Sequence, residues 1–275
     1  MANNLRTHYL NTLYSEDQNT QIIVGNVQKR QAEEELEAAR EAYENARAKL
    51  LAQDYARFFR IAVFGSARLE EKDSEYQEIK VLAKMIVEAR PIDIVTGGGP
   101  GVMKAANEGL SEVLKENINY RAKNHGITVS LPFEEMPNED IHIRSHHPEF
   151  SLRLQEFLDK TKGAYIAPGG IGTLLEKLIC VQSKQVGHLE EDYKIIAHPF
   201  FRKIIDDIND ELYHQRLAEG RKLLISEKEL YLVNIISDIE QVVQEFTESY
   251  DHWKKNINSR VRVVNDTNKF IPARY

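Results

Sequence analysis

The chain has 275 residues, with 43 acidic and 36 basic side chains and a formal net charge of −7. Hydrophobic residues at 42% and charged residues at 29% describe an ordinary globular protein, long enough to bury a sizeable core as one large domain or two small ones. The acidic balance argues against a nucleic-acid binder that neutralises many phosphates, and the single cysteine, Cys180, excludes a disulfide framework or a cysteine-based zinc cluster. The opening MANNLRTHYL has no apolar stretch of signal-peptide length, and no run approaches the ~20 apolar residues of a membrane span. The expectation is a cytoplasmic protein without membrane or nucleic-acid partners.

From about Val27 to Arg60 the chain is rich in Ala, Glu, Arg and Lys and free of Gly and Pro, which predicts a long helix. Ala32, Leu36, Ala39, Tyr43, Ala46 and Leu50 share one stripe of it, too narrow and too rich in Ala for a strong zipper. This stretch, residues 1–59, is read as an N-terminal helical extension. Arg60 begins a different pattern. Ile61–Phe64 is a short apolar run stopped by Gly65–Ser66, a buried strand entering a loop. A helix with Tyr76, Ile79, Leu82, Ala83, Ile86 and Val87 on one face follows, then a strand at Ile92–Val95 halted by TGGGPG at 96–101. A helix over 102–114 leads to a third strand at Gly126–Leu131. The stretch 132–148, with three prolines and His142, His146 and His147, reads as a long loop. Phe150–Lys160 is helical, Ala164–Ala167 is a strand broken by PGGIGT at 168–173, and a helix from Thr173 to about Gln185 precedes a strand at Tyr193–Ala197. Residues from Phe200 to about Phe246 read as further helices, Asn256–Tyr275 has no clear periodicity, and 251–275 is set apart as a C-terminal tail. Strands alternating with helices at this spacing define an α/β domain over 60–250, a doubly wound parallel sheet of the Rossmann-like kind.

Ligands of such sheets sit beyond the carboxyl ends of the strands, and both glycine loops fall at such ends. Glycine lets the backbone approach an anion, and the helix that follows offers free N–H groups to a phosphate. One such loop is more often a plain tight turn; two on one sheet favour a phosphate or nucleotide site. Neither is a dinucleotide fingerprint, because Lys104 stands where G-x-G-x-x-G needs its last glycine, and no G-x-x-x-x-G-K-[ST] occurs. A single phosphate on a sugar is the expected ligand.

FGSAR at 64–68, TGGGPGVMKAANEG at 96–109, LPFEEMPN at 131–138, EFSLR at 149–153 and PGGIGTLLE at 168–176 resemble the Lonely Guy family. These are cytokinin-activating phosphoribohydrolases and their bacterial relatives, often labelled lysine decarboxylase-like. The resemblance covers about residues 60–245, and its most specific part is the PGG-x-GT-x-x-E run with an arginine fifteen residues before its proline. It implies hydrolysis of the N-glycosidic bond of a nucleoside 5′-monophosphate (AMP or an N6-modified AMP), with no cofactor and no metal, in a homodimer or higher even oligomer. Arg153 matches the family's arginine and takes the role of positioning the nucleotide and supporting the departing base. Glu176 is the carboxylate that stabilises charge on the ribose and orients water, which fits the positive charge that builds on a sugar ring as its glycosidic bond breaks. Gly169, Gly170, Gly172 and Thr173 are expected to hold the phosphate, with Gly98 and Gly99 closing the other side, Ser66 and Arg68 after the first strand end, in a base or phosphate contact or a plain turn, and Met103 against the base. Leu154 stands where the family commonly has lysine, a departure that bears on base preference.

Three rival readings remain. A nucleotide or cofactor carrier of the same fold needs no Arg153–Glu176 pair. An amino-acid decarboxylase needs a lysine placed for a pyridoxal phosphate Schiff base, and none lies in such a setting. A purely structural role of the N-terminal helix leaves the two glycine loops unexplained.

Overall fold

The computed structural model describes residues 29–43, 45–46, 54, 57–130 and 136–267. The chain divides into two compact units, Met1–Leu50 and Leu51–Tyr275. In the first, residues 29–43 and 45–46 are helical and exposed, Leu36 and Tyr43 of the apolar stripe included. Ion pairs one turn apart, Lys29–Glu33 and Arg30–Glu34, lie along its polar surface. Leu50, the last position of the stripe, lies outside the described residues.

The second unit runs β1 (Arg60–Phe64), α1 (Ser74–Ala89), β2 (Asp93–Thr96), α2 (Val102–Glu116), β3 (Asn124–Val129), β4 (Ile143–His147), α3 (Phe150–Lys160), β5 (Gly163–Ile166), α4 (Ile171–Gln185), β6 (Lys194–Ala197), α5 (Arg202–Asn209), α6 (Gln215–Ala218), β7 (Asn234–Ile235) and α7 (Ile239–Thr267). All neighbouring strands are parallel, in the order β4-β3-β2-β1-β5-β6-β7. Alternation along β1 explains why both faces need cover. Ile61 and Val63 point into a core built with α1, α2 and α7, while Ala62 and Phe64 point into a second core with α3, α4 and α5. This is the doubly wound α/β sheet expected from the sequence. No helix among the described residues is long and apolar enough to cross a membrane.

The amino edge of the sheet is braced by charge. Arg60, at the start of β1, donates to Asp93 at 3.2 Å and to both oxygens of Asp54 at 2.5 and 3.0 Å. The His125 ring lies 3.1 Å from the same Asp93 oxygen, and Asp93 also accepts from the Lys123 N–H at 2.9 Å. The Arg60 guanidinium holds the Asp54 carboxyl below its usual range, against the opposing effect of burial, which is the larger single influence.

Two stretches differ from expectation. Residues 143–147 form β4, the edge strand, rather than part of a loop. Its sequence IRSHH has no apolar run to announce a strand; the ladder to β3 and the grip of α3 create it. Glu156 of α3 accepts from Ser145 at 2.7 Å and Lys160 at 2.5 Å and pairs with His147. The histidine at 142 instead accepts the Asn124 N–H at 2.9 Å, and His146 meets Thr128 and Ser130. The second difference is the tail, which continues the helix α7 through Thr267. Asp251 forks onto Arg90 at 2.7 and 2.8 Å, and Trp253 packs on Phe59 and Tyr250 with ring centroids 5.7 and 5.5 Å apart.

Trp253→Ala is expected to destabilise the protein by about 3–5 kcal/mol, because it empties a core position and strips two aromatic contacts. Denaturant unfolding followed by circular dichroism measures it; a loss below about 1 kcal/mol would place the segment after 250 outside the core.

Candidate functional site

The strand order reverses between β1 and β5, so the loops that leave these two strands diverge and open a crevice at the carboxyl edge. A cleft of about 570 Å³ occupies it. Three loops build it, and they are fastened to one another. The Ser66 N–H donates to Pro168 O at 3.0 Å, and Ser66 O accepts from the Val102 N–H at 2.9 Å, so the loop after β1 is bolted to both glycine loops. Gly101 allows this with a φ of +66°, and a Cβ there would meet Ser66 O at 2.3 Å. The wall after β3 is tied down by Asn138, whose N–H donates to Gly98 O at 2.8 Å and whose amide donates to Gly99 O at 2.9 Å and to Asn107 Oδ1 at 3.1 Å.

The two glycine loops do different things. Helix α2 spends its first N–H on Ser66 O, and Gly98, with a φ of +78°, takes its N–H to Thr96 Oγ1 at 3.1 Å. The loop before α4 is open instead. Leu174 makes the first turn bond, to Gly170 O at 3.0 Å, and the N–H groups of Ile171, Gly172 and Thr173 have no backbone partner among the described residues. A Cβ at Gly170 or Gly172 would touch nothing within 4 Å. Neither has a positive φ, so the fold itself does not demand glycine there, and the missing side chains leave room at a helix N-terminus.

Arg153 and Glu176 meet in the floor of this cleft. The Arg153 guanidinium lies 3.6 Å from Glu176 Oε1, donates through Nε to Ile127 O at 2.9 Å, and stacks near the rings of Phe150 and Phe157. Its seat exists because residue 97 is glycine: a Cβ there would fall 2.1 Å from Arg153 Nη2 and 2.8 Å from Met103 Sδ. Burial works against the charge on Arg153 and the Glu176 carboxylate supports it. For Glu176 burial prevails over the arginine and pushes the carboxyl up to about 7. A carboxyl that titrates near neutrality inside a cleft can exchange protons with a ligand.

Of the residues singled out in the sequence, Ser66, Gly98, Gly99, Met103, Arg153, Gly170, Gly172, Thr173 and Glu176 line the cleft. Gly169 does not; a Cβ there would lie 2.2 Å from Thr173 Oγ1 and 3.0 Å from Ser66 N, so its glycine serves loop packing. Phe150, Pro137 and Ile171, which lie within EFSLR, LPFEEMPN and PGGIGTLLE without an assigned role, also line the cleft, as does Thr128, which lies outside every quoted motif. Gly97 was visible only as one glycine of three.

No protein-family model matches the chain, and no curated protein does. Among solved structures, the molybdenum cofactor carrier protein of Chlamydomonas reinhardtii is 16% identical with a TM-score of 0.49, the match covering 71% of this chain and 99% of that one. The molybdenum cofactor binding protein of Rippkaea orientalis is 18% identical with a TM-score of 0.45, covering 68% of this chain and 94% of that one. Neither likeness assigns a ligand or a reaction to this chain.

Two outcomes follow from the geometry. Gly172→Ala is expected to leave the melting temperature unchanged or raised, since alanine gains up to about 1 kcal/mol over glycine in a helix. It should weaken phosphate binding at the α4 N-terminus by about tenfold or more, read by calorimetry with inorganic phosphate; undiminished affinity would make the loop a turn only. The second concerns Glu176. Between pH 4.5 and about 7 the folded state holds a proton on this group that the unfolded state has released, so its contribution to stability falls as pH rises through that window. Denaturant melts of Glu176→Gln against the parent should therefore diverge in favour of glutamine, by on the order of 2 kcal/mol from pH 5 to pH 8.

Proposed function

We propose that the protein hydrolyses the N-glycosidic bond of nucleoside 5′-monophosphates, AMP or an N6-modified AMP, to free base and ribose 5-phosphate. The observation that carries this reading is the Arg153–Glu176 pair buried at 3.6 Å in the floor of the cleft, one helical turn from the open α4 N-terminus. The phosphate takes the free N–H groups at 171–173, which sets the ribose over Glu176. Positive charge builds on the ribose as the bond to the base stretches, and the ionised Glu176 carboxylate stabilises it. The same carboxylate accepts the proton released by the attacking water, whose oxygen bonds to C1′ as the C1′–N bond breaks, and that proton passes on to the departing base, leaving Glu176 ionised again. Arg153 keeps Glu176 in place and offers its remaining N–H groups to the substrate.

A carrier of the same fold binds AMP and releases nothing, so chromatography of an AMP incubation separates the two readings: free base and ribose 5-phosphate in equal amounts support hydrolysis, and intact AMP overturns it. Glu176→Gln should keep AMP affinity within a few-fold and lose base release by roughly 10²–10⁴-fold. Because the ionised form is the active one, kcat/KM of the parent should rise with pH through about 7 and level off above it. A profile falling through the same range would assign Glu176 the opposite role, that of an acid.

A further inference from the structure

The charges lining the cleft do not balance those of the ligand proposed for it. Among the described residues two cations line the space, Arg68 and Arg153, with one carboxylate, Glu176. The charge of Arg153 is faced by Glu176, and its Nε is used by Ile127 O, which leaves N–H groups for the ligand but little unpaired charge. Together that pair adds little net charge when Glu176 is ionised. A phosphate monoester brings nearly two negative charges near neutral pH, and the α4 N-terminus supplies only about half a positive charge. One more cation is needed at the phosphate end.

Arg68 is placed for it. Its side chain is exposed at the mouth of the cleft and takes part in no ion pair or hydrogen bond among the described residues, only its backbone N–H being used, to Ser66 Oγ at 3.1 Å. Every neighbouring acid in the stretch is spoken for: Glu70 pairs with Lys72, Glu71 with Lys104, and Asp73 caps the Glu70 N–H. The loop that carries Arg68 is held to Pro168 O and to the Val102 N–H, which fixes its root beside the loop that opens onto α4. The approach is tight, since a Cβ on Gly169 would lie 3.0 Å from Ser66 N.

We propose that Arg68 is the phosphate-recognition residue of this site: its guanidinium closes over the phosphate held at the α4 N-terminus, and it makes the protein select a phosphomonoester over the uncharged nucleoside. The assignment rests on the reading of the cleft as a nucleotide site and adds the source of its charge selectivity. A guanidinium forks onto two phosphate oxygens, and its long stem leaves it free to swing aside when the cleft is empty.

The test is binding of AMP, adenosine and inorganic phosphate to the parent, Arg68→Ala and Arg68→Lys, by calorimetry at fixed ionic strength, with melting curves to confirm that each variant is folded. The expected result is a ratio of AMP to adenosine affinity lowered by about ten- to a hundredfold in Arg68→Ala and largely kept in Arg68→Lys, with phosphate affinity falling in parallel. Added salt should weaken AMP binding by the parent more steeply than by Arg68→Ala. An unchanged ratio in Arg68→Ala overturns the assignment. Failure of the hydrolysis reading is distinguishable, because it appears as AMP bound by the parent without base release, and the Arg68 ratio is then still read from binding alone. A parent that binds neither AMP nor phosphate overturns both.

Discussion

A sheet in which every strand runs the same way delivers all its carboxyl ends, and all the loops that follow, to one edge. Here seven strands do so, and the order turns back between β1 and β5. The turn is what separates the helices on the two faces and leaves a crevice that neither can fill. The consequences reach the sequence directly. The loops after β1, β2 and β5 must pass one another in a confined space, and their glycines and backbone hydrogen bonds at Ser66 are the result. The opposite edge is built differently. It is closed by Arg60, Asp93, Asp54 and His125, a buried ionic cluster that is tolerated only because its members share partners.

Within the crevice, one pair of side chains turns geometry into chemistry. Arg153 and Glu176 come from helices that pack on the same face, α3 and α4, and meet under a glycine. The arginine is tethered to a β3 carbonyl and bounded by two aromatic rings, so its position is set before any ligand arrives. The glutamate has less support. Its nearest cation is 3.6 Å away, longer than a close ion pair, and its burial is nearly as deep as that of the arginine. Desolvation therefore outweighs attraction, and the carboxyl comes to rest near 7. A closer contact would have given a permanently ionised and chemically quiet ion pair.

The parts of the fold that could be read from the sequence are those whose residues carry the signal locally. Ile61–Phe64 is apolar because β1 is covered on both faces, and the helix face at Tyr76–Val87 repeats because α1 lies on a flat sheet. Strand β4 escaped because its stability is borrowed. Ile143–His147 is half exposed at an edge, and its partners, the β3 backbone and Glu156, are distant in sequence. Helix α7 was expected to end near Phe246, and it runs on because Tyr250 and Trp253 reach back to Phe59, nearly two hundred residues away, and Asp251 reaches back to Arg90. In the cleft, Arg153 and Glu176 stood out by their resemblance to a family motif. What no spacing could show is which glycine faces a ligand: Gly169 and Gly170 are adjacent, yet one is filled by Thr173 and the other faces open space.

That last contrast also orders the demands made on the site. Positions such as Gly101 and Gly169 are glycine because backbone or short side-chain atoms lie within 3.0 Å of where a Cβ would be, so the fold excludes a larger residue, whereas at Gly97 the neighbours are the ends of Arg153 and Met103 and glycine keeps the arginine in its seat. Gly170, the N-cap, and Gly172, in the first turn, are under no such constraint, and at Gly172 glycine costs stability compared with alanine. The burial of an under-compensated Glu176 costs stability too. Two independent sacrifices at one helix N-terminus, with the unbonded N–H groups between them, are hard to account for as packing. They mark Gly172 and Glu176 as positions whose residues the packing of the fold does not demand.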